Sequence, residues 1–214
     1  MTPPHRLLGA TVALLLASCL PRVLLCVLPS HCLMKPMTDV VVLVDDHGHP
    51  IGTAPKATVH TTDTPLHLAF SCYVAHNGKI LVTRRALLKK TWPGVWTNSA
   101  CGHLAPKETA QQAVLRWVPH ELGVPVRNLR CVLPEFRYRA VDSRGIVENE
   151  ICPVFIAEVS GEVQPAADEV DSYQWVTPAD LLAAVDAAPF TFSPWMVEQL
   201  AFPELRSALL ALSA

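Results

Sequence analysis

Charge is scarce in this sequence, and its front part lacks one sign altogether. Only 17% of the 214 residues are Asp, Glu, Lys or Arg, too few for the highly charged chains that stay unfolded through self-repulsion. Residues 1–36 hold no acidic side chain, and Arg6, Arg22 and Lys35 are their only fixed charges. A net charge of −2 supplies no basic footprint, so nucleic acid is not expected as a partner. No Cys-x-x-Cys pair occurs among the seven cysteines. That argues against a zinc ribbon or a disulfide framework, and for free thiols in a reducing compartment. The uncharged run at residues 7–20 is 14 long and is followed by Pro21-Arg22, short for a bilayer span. Internal repeats and low-complexity tracts are missing as well.

What is present in excess is apolar surface. Half of the chain is hydrophobic and the mean hydropathy is +0.28, with the surplus concentrated in residues 1–36. That segment reads in three ways: a secretory signal ending near Leu16-Ala17-Ser18-Cys19, an interfacial membrane anchor, or a stretch upstream of a working start at Met34 or Met37. The third is the expectation adopted. Residues 1–36 are then an apolar extension, disordered or never translated, and residues 37–214 form one domain. From Met37 onward 14 Lys and Arg stand against 19 Asp and Glu, an ordinary, mildly acidic balance.

Within that domain short apolar runs alternate with turn signals. Residues 40–44 read as a strand ended by Asp45-Asp46-His47-Gly48. Residues 67–74 and 79–83 flank Asn77-Gly78, a pair that tolerates positive φ and predicts a hairpin. Residues 135–141 and 146–159 flank a second turn at 142–145, and 173–176 reads as a further strand. Residues 109–122 carry helical periodicity through Ala113, Val114, Trp117 and Val118. Pro119 lies inside that pattern and predicts a kink. Thr177-Pro178 predicts a capped helix start, and residues 194–200 and 204–212 read as helices. The class is α+β, a mixed sheet with helices rather than a regular βαβ series.

The stretch from Thr97 to Val124, TNSACGHLAPKETAQQAVLRWVPHELGV, carries the most information. Gly102, Glu108, Arg116, Val118, Glu121, Gly123 and Val124 stand at the spacing G-x5-E-x7-R-E-U-x-E-E-x-G-U, which resembles the Nudix box. In that family a loop–helix–loop gathers carboxylates to hold divalent cations against a diphosphate, since magnesium takes oxygen ligands. The resemblance implies an α/β/α sandwich with a core at about residues 65–199. Here Trp117 and His120 replace two of the clustered carboxylates and only Glu121 remains, which suggests the fold without the hydrolysis.

Flanking motifs sharpen this. Lys56-Ala57-Thr58-Val59-His60 with His67, Cys101-Gly102-His103, Glu148-Asn149-Glu150, FRYRA and SPWMV occur in the order seen in type I isopentenyl-diphosphate isomerase, and residues 37–200 resemble that family. Each motif alone is ordinary, as a core histidine, a solvated carboxylate pair or an inert thiol; their joint order is what separates the readings. The resemblance implies interconversion of isopentenyl and dimethylallyl diphosphate by protonation and deprotonation of an alkene. It assigns Cys101 and Glu150 as the acid/base pair and Tyr138 as an auxiliary proton donor. Trp195 becomes the aromatic face over a cationic intermediate. His60, His67, His103, Glu148 and Glu150 become ligands of one transition metal, manganese or zinc. Glu121 becomes the magnesium position, and Lys56, Arg85 and Lys89 hold the diphosphate. Trp117, where the family often has Arg, predicts one phosphate contact fewer. A small diphosphate substrate, a monomer or weak dimer, no stable membrane association and a cytoplasmic location complete the expectation. The competing readings are a Nudix hydrolase of a nucleoside diphosphate derivative and a diphosphate-binding module without turnover.

Overall fold

The computed structural model describes residues 40–213, so the expectations for residues 1–36 lie outside the described residues. The first ladder joins β1 (Val40–Val44) and β2 (Pro50–Pro55), antiparallel around the turn at Asp45. A short α1 (Lys56–Val59) follows. β3 (His67–His76) and β4 (Lys79–Arg85) form the expected hairpin, with Asn77 at φ 48 and Gly78 at φ 71. β5 (Trp96–Thr97) and β6 (Ala100–His103) lead into α2 (Ala110–Leu122). Then come β7 (Val126–Leu133), β8 (Arg137–Val141), β9 (Val147–Ile151), β10 (Val154–Val159) and β11 (Val170–Val176). Helices α3 (Pro178–Ala187), α4 (Pro194–Leu200) and α5 (Pro203–Leu210) close the chain.

The central member is β3, because it belongs to two ladders in succession. At its start His67 and Leu68 pair in parallel with Glu150 and Ile151 of β9, while Leu43 of β1 lies opposite His67. From Ala69 onward β3 pairs with β6 and with β10. Its side chains alternate, as a strand requires. Ala69, Tyr73 and Ala75 face a core with Leu181, Leu182, Val185, Met196, Leu200, Leu205 and Leu209 of α3–α5. Phe70, Cys72 and Val74 face a second core with Ala113, Val114, Val118 and Leu122 of α2. Alternation along this one strand therefore builds the helix–sheet–helix sandwich.

Two local outcomes differ from the sequence expectation. Residues 146–159 are two strands, because Cys152-Pro153 interrupts the run and Pro153 has no N–H to give a ladder. β7 was not anticipated, since its residues alternate weakly and most are exposed or half-buried. α2 runs through Pro119 to Leu122, and the Pro119 carbonyl still accepts the Gly123 N–H at 3.0 Å. A capping box at Thr109 and Gln112 secures its start and Gly123 at φ 69 its end. No helix among the described residues is long and apolar enough to cross a membrane.

Candidate active site

Register places the reactive side chains before any of them touch. Across β3 and β6, Ser71 stands opposite Cys101 and Ala69 opposite His103. Cys101 and His103 are two residues apart and share a face, while Gly102 turns the other way, toward Phe70 and Trp117. Across β3 and β9, His67 stands opposite Glu150, and across β8 and β9 Tyr138 stands opposite Glu150. Glu148 and Glu150 share the same face by the same rule. The end of α1 supplies His60.

These residues surround a cavity of about 530 Å³. Lys56, His60, Arg85, Lys89, Cys101, His103, Tyr138, Glu148, Glu150 and Trp195 all line it. Two expected site residues do not: His67 is fully buried beneath it, and Glu121 lies buried on α2.

The three imidazoles pack with ring centroids 5.1–5.5 Å apart. One donor atom from each of His60, His67, His103 and Glu150 falls within 4.8 Å of all the others. Nε2 of His60 and His67 and both ring nitrogens of His103 are buried without a hydrogen-bond partner, a costly state for polar atoms unless something else engages them. Glu150 Oε1 lies 3.4 Å from His67 Nε2 and 3.3 Å from His103 Nε2, near enough to attract but outside hydrogen-bond geometry. His67 Nδ1 is 2.8 Å from the Pro65 carbonyl, to which it donates, and Nε2 faces the cluster; burial is outweighed by Glu150, so the group is raised. Burial, then His103, pushes His60 down to about 3, so its ring is neutral. Convergent, orphaned nitrogens with a carboxylate fit a metal ion.

Glu148 stands outside this cluster. It accepts from the Thr91 hydroxyl and, at 2.5 Å, from the Tyr138 hydroxyl. Tyr138 also reaches Glu150 Oε2 at 2.9 Å. Burial raises both carboxyls. In Glu150 the imidazoles of His103 and His67 outweigh it and the group falls well below the usual range, whereas Glu148, facing Glu150, stays raised. Burial and then the two carboxylates hold the Tyr138 phenol far above its ordinary value, so it remains a donor.

Cys101 is held by a network that sequence reasoning missed. Asn98 donates to the carbonyls of Cys72 and Ala100 at 3.2 and 2.9 Å, which turns its Oδ1 toward the cavity. That oxygen accepts from Cys101 Sγ at 3.3 Å and from Trp195 Nε1 at 3.0 Å. Ser71 Oγ lies 3.4 Å from Cys101 Sγ and receives Gln199 Nε2 at 2.8 Å. Burial, opposed by the Ser71 and Asn98 contacts, pushes the Cys101 thiol up to about 12, and it is a neutral S–H at pH 7. Gln199 is 128 residues from Ser71, and no local pattern announces such a partner.

The basic groups are each held differently. Arg85 donates to the Thr91 carbonyl at 2.9 and 3.1 Å, and its guanidinium carbon lies 5.3 Å from the Trp195 ring centre. Lys89 pairs with Glu169, a lining residue also missed from sequence. The box residues Glu108 and Arg116 form a two-pronged ion pair at 2.7–2.8 Å, and Arg116 also donates to the His103 carbonyl at 3.1 Å. They brace the end of β6 at His103 rather than lining the cavity. Burial, then Glu169, pushes the Glu121 carboxyl up to about 8, a position in which a cation would be needed to hold it charged.

Known proteins align with this arrangement. A model of the NUDIX domain matches residues 65–196. The solved structure of DR0079 from Deinococcus radiodurans superposes with a TM-score of 0.59 at 16% identity, covering 76% of this chain and 97% of that one. The chain is 65% identical over 176 residues to the isopentenyl-diphosphate Delta-isomerase of Corynebacterium diphtheriae, covering 80% of this chain and 96% of that protein. It is 56% identical over 170 residues to the protein of that name from Kocuria rhizophila, covering 79% and 94%. The thiol, the three imidazoles and the paired carboxylates thus sit on a NUDIX scaffold, and the chain belongs to the isopentenyl-diphosphate Delta-isomerase family.

Proposed function

We propose that this protein interconverts isopentenyl diphosphate and dimethylallyl diphosphate. The observation that carries the reading is one cavity lined together by a neutral thiol, a carboxylate, an indole face and three basic heads. Moving the double bond of an unactivated alkene takes protonation at one carbon and loss of a proton from another. Cys101 and Glu150 are the pair that gives and takes these protons, with Tyr138 passing its phenolic proton toward Glu150. Protonation leaves positive charge on a tertiary carbon, and the Trp195 face offsets it by about 2 kcal/mol where water is excluded. Lys56, Arg85 and Lys89 hold the diphosphate.

His60, His67, His103 and Glu150 would hold one transition metal, with Glu148 as a fifth donor. Such an ion supplies fixed positive charge that tunes the acidity of Glu150. Glu121 is the candidate carboxylate for a magnesium ion accompanying the diphosphate. Hydrolysis is the weaker reading, because Trp117 and His120 leave α2 without the clustered carboxylates that it requires.

The test is incubation of the protein with isopentenyl diphosphate and magnesium. Dimethylallyl diphosphate without released phosphate is the expected result. Release of phosphate or pyrophosphate, without an isomer, would replace this reading by a hydrolase.

A further inference from the structure

Trp117 stands where the Nudix pattern has a carboxylate, and it makes two polar engagements at once. The Lys56 ammonium lies 4.1 Å from the centre of its ring. Its indole N–H donates to Glu121 Oε2 at 2.7 Å. The ring is wedged between α2 and β6, since a Cβ added at Gly102 would come within 3.0 Å of Trp117 Cγ and Cδ1. Trp117 is buried, yet its edge lines the cavity beside Lys56.

Two neighbouring cations are held in another way. Arg116 is committed to Glu108, and Lys89 to Glu169. Lys56 forms no ion pair among the described residues. A carboxylate partner restrains a lysine but also cancels its charge. An aromatic face restrains it and leaves the charge intact for an incoming anion.

We propose that Trp117 is a positioning residue for both halves of diphosphate recognition: its ring holds the Lys56 ammonium ready for phosphate oxygens, and its N–H aims the Glu121 carboxylate at the accompanying divalent cation. The proposal rests on the diphosphate reading of this cavity. It makes the missing box carboxylate a substitution of function rather than a loss.

Calorimetric titration of inorganic pyrophosphate into the full chain, with and without Mg²⁺, tests it. Trp117→Phe keeps the ring and removes the N–H. Magnesium-free affinity should stay within about twofold, while the Mg²⁺ concentration needed for half-maximal enhancement rises about tenfold, the scale of one charge-assisted hydrogen bond. Trp117→Leu removes both engagements and should weaken magnesium-free binding about tenfold, the scale of a desolvated cation–π contact. Lys56→Met should then cost far less in the Trp117→Leu background than in the parent, the mark of a coupled pair. Additive effects of Lys56→Met and Trp117→Leu, or an unchanged magnesium requirement in Trp117→Phe with a parental melting curve, overturn the proposal. Failure of the parent protein to bind pyrophosphate with magnesium would instead remove the diphosphate reading on which it stands.

Discussion

Tyr138 stands opposite Glu150 in the ladder between β8 and β9, and its hydroxyl closes that pairing at 2.9 Å from Glu150 Oε2. The same oxygen lies 2.5 Å from Glu148, so one phenolic proton serves two carboxylates that share a strand face. Backbone register puts this proton beside Glu150, the proposed acid/base carboxylate, with no loop to fold over it.

Tyr138→Phe removes only that hydroxyl. The expected result is a fall in kcat of about 100-fold, the low end for a positioned proton donor, with KM for isopentenyl diphosphate changed by less than about threefold. Steady-state isomerisation kinetics measure both. An equal fall in kcat and rise in KM would point to distortion of the cavity instead.

Cys101→Ala takes away the thiol, which packs against the core from a half-buried position. Isomerisation should drop by about 1,000-fold or more, while thermal unfolding stays within a degree or two because a small, half-buried side chain is lost. Cys131, which is exposed and remote from the cavity, is the control: Cys131→Ala should keep parental turnover.

Metal content offers a measurement independent of turnover. Protein purified without chelator should carry about one transition-metal ion per chain by elemental analysis, the stoichiometry of one convergent His/Glu set. His60→Ala should reduce it strongly, whereas His76→Ala, on the far end of β3, should not. A metal-free parent with full isomerase activity would remove the metal from the proposed site.

Pro119 gives a stability prediction. It withholds the N–H that a helical residue would give to the Leu115 carbonyl, and interior prolines cost about 3 kcal/mol in a helix. Since α2 passes through Pro119 without ending, Pro119→Ala should stabilise the protein by about 1–3 kcal/mol in urea unfolding. A destabilised variant would mean that the Pro119 ring packs favourably enough to offset the missing bond.

Much of this was legible in the sequence for identifiable reasons. The Asn77-Gly78 hairpin, the Thr109 and Thr177 helix starts and the shared faces of Cys101 with His103 and Glu148 with Glu150 follow from local chemistry and period-two alternation. The spacing that resembles the Nudix box marked α2, though it did not reveal that Glu108 and Arg116 brace the end of β6 at His103. What stayed hidden depends on pairing between distant segments. Asn98 acts through carbonyls of two different strands, Ser71 through Gln199 on α4, and Glu169 through Lys89. Glu148 was placed among the metal ligands by the family resemblance; its contacts with Thr91 and Tyr138 are ones that no spacing encodes.

The double membership of β3 has a mechanical meaning. His67 answers to Glu150 on one ladder, and four residues along the same strand Ser71 answers to Cys101 on the other. A slip of β6 by one residue would turn Cys101 and His103 off the cavity together. The thiol pole and the imidazole pole are thus mounted on a common rail, whose spacing of about 13 Å between residues 67 and 71 is set by strand rise rather than by side-chain choice. Substituting a side chain such as the one at position 117 alters what the cavity presents and leaves that spacing untouched. Changing the gauge between the two poles would mean rebuilding the sheet.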